Sequence, residues 1–132
     1  MTSRIKIRDK LRIELLREAP KLIAVSSDEK LMLRVKEAIQ ERLNDSQLSV
    51  ESLAREIGLS RAQFYRKVVA LTGMSVNDLI RSFRLEKAAQ LIAQKWGPVT
   101  QVAYEVGFSS PSYFTKCFKD YFGALPSEYQ GS

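Results

Sequence analysis

Two stretches of this chain repeat one another, and that repeat narrows the folds open to it. They are SVESLAREIGLSRAQFYRKVVALTG, residues 49–73, and PVTQVAYEVGFSSPSYFTKCFKDYFG, residues 98–123. At an offset of 49, Val50 pairs with Val99, Leu53 with Val102, Ala54 with Ala103, Ile57 with Val106 and Gly58 with Gly107. At an offset of 50, Phe64 pairs with Phe114, Arg66 with Lys116, Val68 with Phe118 and Gly73 with Gly123. The second turn therefore carries one extra residue, GFSS against GLS. Internal self-similarity of this kind marks a duplicated supersecondary unit.

Each unit reads as helix, tight turn, helix. Ser49 and Thr100 are caps or first-turn residues of the short first helices. Ala54 and Ala103 are small where two helices cross closely. Gly58 and Gly107 supply the left-handed backbone that ends a helix without a Cβ clash. Leu59 and Phe108 fill the angle between the helices. Ser60 and Ser110 cap the second helices, Pro111 suits a first turn, and Gly73 and Gly123 end them. Short helices at a sharp angle across a glycine-containing turn form a helix-turn-helix.

The rest of the chain is organised around these units. A longer helix is predicted over residues 76–94, with Val76, Leu79, Ile80, Phe83, Ala88, Leu91 and Ile92 apolar and Leu85 and Ala89 widening the stripe. Leu31, Val35, Ile39 and Leu43 recur every four residues, predicting an amphipathic helix after Ser27 and Asp28. Pro126 starts a last turn anchored by Tyr129. Residues 1–27 read as a basic linker. Their segment 3–19 fits a helix or a strand, with helix preferred, and Pro20 ends it. The fold class is all-α: two helix-turn-helix units joined by a long linker helix.

Composition excludes more than it assigns. With no histidine among the 132 residues, the usual base near neutral pH is missing. One cysteine, Cys117, can form no internal disulfide and no cysteine-rich zinc site. No glycine-rich phosphate loop is present. The expectation is no enzyme, no catalytic residues, no cofactor and no metal. No apolar run nears the ~20 residues that span a bilayer, and no signal-type leader opens the chain. A cytoplasmic location follows as the expectation, and the chain reads as a fragment of a longer protein. The net charge of +6 suits a polyanionic partner, but its distribution does not localise one. Residues 1–27 hold seven Lys/Arg against three acids, and residues 28–132 hold fourteen against twelve.

The pattern resembles the AraC/XylS family of transcription regulators. Ala54, Ile57, Gly58, Ser60 and Phe64 carry the likeness in the first unit. Val102, Ala103, Val106, Gly107, Phe108, Ser110, Phe114, Phe118, Phe122, Gly123, Pro126, Ser127 and Tyr129 carry it in the second, with IRSFRLEKAAQLI between them. The resemblance covers residues 28–130 and implies a homeodomain-like fold of about seven helices in two helix-turn-helix subdomains, forming a sequence-specific double-stranded DNA-binding domain over residues 28–132. Residues 4–18 also resemble the exit of a phosphorylation-receiver domain. Receiver, linker and AraC-type module in that order resemble the C-terminus of the hybrid two-component regulators of Bacteroidetes, which commonly control polysaccharide-use genes. Upstream receiver and sensor domains would then lie outside this chain.

The resemblance also implies which residues meet DNA. It places Ala62, Gln63, Tyr65 and Arg66 on the exposed side of the first recognition helix. Arg66 can bond guanine O6 and N7, Gln63 adenine N6 and N7, and Ala62 a thymine methyl. Arg61 and Lys67 meet phosphates. Pro111, Ser112, Thr115 and Lys116 take matching places on the second helix. Residues 60–73 carry three positive charges and no negative one, whereas residues 110–123 carry a net +1. The second helix is thus expected to position more than to read. The two recognition helices are expected about one DNA turn, ~34 Å, apart.

Blander readings stand beside these. Arg66 in isolation could be merely solvated, Tyr65 could pack on the linker helix, and Trp96 reads as packing at a helix end. Phe64, Phe114, Phe118, Phe122 and Cys117 read as core. The alternative function is a helical protein-interaction module that has lost specific DNA binding. Membrane-surface association through residues 3–19 is opposed by Asp9, Glu14 and Glu18, so no membrane contact is expected. Homodimerisation of the full-length parent stays open.

Overall fold

The computed structural model describes residues 26–129. The basic linker expected over residues 1–27 lies outside the described residues, apart from its last two. Six α-helices and one 3-10 turn make up the described residues, with no strand among them. They are α1 (Ser27–Glu41), α2 (Val50–Ile57), α3 (Arg61–Thr72), α4 (Val76–Ala93), α5 (Val99–Glu105) and α6 (Pro111–Phe122). The 3-10 turn Pro126–Glu128 follows α6. The chain divides into two compact units. The first runs to Glu41 and resumes over Leu48–Leu79; the second holds Arg42–Gln47 and the residues from Ile80 onward.

The first unit is built on α1, α2 and α3, which pack on one another. Met32, Val35, Ala38 and Ile39 are the buried stripe of α1. Val50, Leu53, Ala54 and Ile57 are that of α2, and Phe64 and Val68 that of α3. Ser49 caps α2 in a capping box with Ser52, and Gly58 ends it in the left-handed conformation at φ +89°. Arg34 donates to the Ile57 carbonyl (3.3 Å), which the helix itself leaves unpaired. Thr72 is fully buried and polar. Its hydroxyl donates to the Val68 carbonyl (2.7 Å) and accepts from the Met74 amide (3.1 Å), so no polar atom there is stranded.

The α1 stripe stops short of Leu43. Asp45 accepts from the Gln47 amide (2.9 Å), an Asx turn that competes with helix continuation. Leu31, also in the stripe, is only half-buried.

The second unit has its own core. Leu85, Ala88, Ala89 and Leu91 of α4 pack with Val102, Ala103, Val106, Phe108, Phe114, Cys117 and Phe118. Aromatic rings chain through it: Phe108 meets Phe114 edge-on at 5.2 Å, and Phe118 meets Phe122 at 4.5 Å and Tyr129 at 5.3 Å. Such pairs add about 0.5–1.5 kcal/mol each beyond area burial. The Arg84 guanidinium is half-buried and bonds the carbonyls of Leu43 (3.2 Å, from Nε) and Asp45 (2.6 Å). Burial lowers the ionisation range of Arg84, and the nearby Asp45 charge partly restores it. Gly107 lies against this contact at φ +97°. Phe108 is buried but its repeat counterpart Leu59 is only half-buried, so the two interhelical angles are filled unequally.

Candidate nucleic-acid interface

The second helix of each unit presents one wet face, and its start is fixed by local chemistry. In α3 the Ser60 hydroxyl accepts from the Gln63 amide (3.1 Å), and the Gln63 side-chain oxygen accepts from the Ser60 amide (3.2 Å). This reciprocal box satisfies two amides at the helix start. Ser60→Ala is expected to lower stability by about 1 kcal/mol. A melting temperature equal to that of the parent chain would contradict the cap.

Phe64, Val68 and Thr72 point α3 inward, Leu71 is half-buried, and the remaining residues are exposed. Arg61, Ala62, Gln63, Tyr65, Arg66 and Lys67 are all exposed. Tyr65 is 48% exposed. Two of the three cations on this face are held by carboxylates of the same unit. Arg61 pairs with Glu51 (3.3 Å) and Lys67 with Asp28 (2.9 Å). Both pairs are well exposed, so each is worth little by itself. The Arg66 side chain makes no ion pair or hydrogen bond among the described residues. Gln63 is committed in part to its own helix cap, which competes with any external acceptor or donor.

In α6 the Ser110 hydroxyl accepts from the Tyr113 amide (3.2 Å), and Pro111 occupies the first turn. Phe114, Cys117 and Phe118 face inward. Ser112 and Lys116 are exposed, while Pro111 and Thr115 are half-buried. Thr100 lies within the first turn of α5, which begins after Pro98 without a side-chain cap bond. Trp96, just past the end of α4, is 47% exposed.

One exposed side chain on α6 escaped the sequence reading. Tyr113 is 48% exposed on the first turn of α6. The offset of 50 that joins Phe64 to Phe114 also joins Gln63 to Tyr113, so the repeat register was the signal for it. The neighbouring Cys117 thiol raises the ionisation of its phenol above the usual tyrosine range, with Arg81 acting in the opposite sense. Among the described residues, no cluster of three or more His, Cys, Asp or Glu side chains is arranged to hold a metal ion. No described helix is long and apolar enough to cross a membrane.

Comparison with known proteins agrees with this architecture. A family model described as a helix-turn-helix domain matches residues 53–132. Histidine kinase P4 of Formosa agariphila is 37% identical over 112 residues, which are 84% of this chain and 8% of that protein. An HTH-type transcriptional regulator of Haemophilus influenzae is 35% identical over 105 residues, 80% of this chain and 35% of that protein. The chain therefore spans only a minor part of these relatives. Among solved structures, the C-terminal domain of AraT, a response regulator from Geobacillus stearothermophilus, has a TM-score of 0.73 at 30% identity. That match covers 80% of this chain and 87% of the AraT domain. The DNA-binding domain of AdpA, solved in complex with a target DNA, has a TM-score of 0.69 at 31% identity over 76% of this chain and 88% of that one. With the repeated helix-turn-helix, the capped second helices and these matches in agreement, the chain belongs to the AraC-type family of helix-turn-helix DNA-binding domains.

Proposed function

We propose that this chain reads double-stranded DNA sequence with α3 and α6, as the output module of a hybrid two-component transcription regulator. The observation that carries the reading is the wet face of α3: an exposed Arg66 with no partner among the described residues, flanked by two cations on loose surface pairs. A side chain in that state can meet a guanine edge without first breaking a strong internal contact. Arg61 and Lys67 exchange their exposed carboxylates for phosphates. Ala62, Gln63 and Tyr65 border Arg66, and Pro111, Ser112, Thr115 and Lys116 form the corresponding contacts of α6. The segments they contact are adjacent major-groove stretches about one turn apart.

Two likenesses support the two-component assignment: to a piece of a protein named as a histidine kinase, and to the C-terminal domain of a response regulator. Receiver and sensor domains, and any dimerisation, belong to the parent protein. Polysaccharide-use genes are the target class that the same domain order suggests.

The test is equilibrium binding of the chain to a selected duplex and to a scrambled one across a salt series. Affinity for both should fall as salt rises, because phosphate contacts release counterions, while the selected duplex stays tighter throughout. Equal and weak binding to both at low salt would overturn the reading in favour of a protein-interaction module. Within the same series, Lys67→Ala is expected to weaken all duplexes alike and to reduce the salt slope by about 1. An unchanged slope would remove Lys67 from the phosphate contacts.

A further inference from the structure

We propose that Tyr113 is a direct base reader of the second unit, meeting the 5-methyl edge of a thymine in the major groove. The proposal rests on the DNA-binding reading above and gives α6 a role beyond positioning. Recognition-helix side chains near the N-terminus are those that reach base edges, and Tyr113 is the third residue of α6. In the repeat register it stands where Gln63 stands in α3.

The two residues are employed differently. Gln63 uses its side-chain oxygen to close the cap on Ser60 (3.2 Å). A tyrosine cannot close such a box, and Ser110 only accepts from the Tyr113 amide (3.2 Å). The ring is therefore free of the helix cap, yet it is seated. Its centroid lies 6.0 Å from that of Phe108, which in turn meets the buried Phe114 at 5.2 Å. A half-exposed aromatic ring on a core-anchored seat loses little conformational freedom on binding.

The chemistry of the surrounding face selects the base feature. Beside Tyr113, the solvent side of α6 offers Ser112, Lys116, Lys119 and Asp120: Lys116 can meet guanine, and no asparagine or glutamine is there for adenine. Apolar contact with the thymine methyl is the major-groove signal that an aromatic ring can read.

The experiment uses the whole chain and its selected duplex. Each thymine in the segment facing the second unit is replaced singly by deoxyuridine, which removes the methyl group and keeps the pairing. For the parent chain, one replacement should weaken binding about fourfold, the worth of one buried methyl. Tyr113→Ala should weaken binding to the unmodified duplex by at least that factor and lose sensitivity at that one thymine. Tyr113→Gln can form the cap seen in the first unit, so it keeps the helix start intact and should lose the same sensitivity. Arg66→Ala should keep it. If both Tyr113 variants retain the parent's affinity and its deoxyuridine response, the assignment is overturned. Continued weakening by Arg66→Ala would then show that DNA reading itself survives. Failure of the parent chain to prefer any duplex would overturn both.

Discussion

Gly107→Ala is expected to lower the stability of the chain by about 2–5 kcal/mol, far more than the same change at its repeat counterpart Gly58. Both glycines sit at positive φ, +97° and +89°, where an alanine is strained by roughly 1–2 kcal/mol. They differ in what a Cβ would meet. At Gly58 nothing lies within 4 Å, so strain is the whole cost. At Gly107 a Cβ would collide with the Leu43 carbonyl oxygen and lie 2.7 Å from Arg84 Nε. Backbone cannot yield as a flexible side-chain tip does, and overpacking adds about 1–3 kcal/mol. The displaced Arg84 would also leave the carbonyls of Leu43 and Asp45 short of donors. Urea denaturation of the two variants measures the contrast. Equal losses would mean that the Arg84 contact contributes nothing at Gly107.

Arg66→Ala is expected to cost about 1–3 kcal/mol of binding to the selected duplex and to relax preference at one base pair. That is roughly a 5- to 150-fold loss of affinity. The substitution should leave the fold alone, because Arg66 is exposed and makes no hydrogen bond or ion pair that it would abandon among the described residues. The signature is therefore a change in base preference at constant melting temperature. Lys67→Ala gives the complementary pattern, a weakening shared by every sequence. If Arg66→Ala bound all duplexes as the parent chain does, α3 would not be reading bases through this residue.

Much of the fold could be read from the chain because its signals are local. Ser49, Ser60 and Ser110 cap helices through hydroxyls that accept from the amide three residues on. Gly58, Gly73, Gly107 and Gly123 all take positive φ, which side chains resist. Ala54 and Ala103 are buried, as a close helix crossing requires. What could not be read depends on partners far along the chain. Nothing near Arg84 says that it bonds the carbonyl of Leu43, 41 residues earlier. Nothing near Lys67 says that it pairs with Asp28, 39 residues earlier. Gly58 and Gly107 look equivalent in the repeat, and only tertiary packing separates them. Tyr113 was a different kind of omission. Its place in the register was available, but an aromatic beside Phe114 looks like core until its exposure is known.

The central claim, that one chain reads DNA with two helix-turn-helix units, is tested most directly by selection from a randomised duplex pool at low and moderate salt. The account predicts an enriched motif with two conserved segments about one helical turn, ~10 base pairs, apart. The segment facing α3 should contain a guanine that loses its importance in Arg66→Ala, and the other a thymine. A pool that returns no motif at low salt, where phosphate contacts are strongest, would contradict the account.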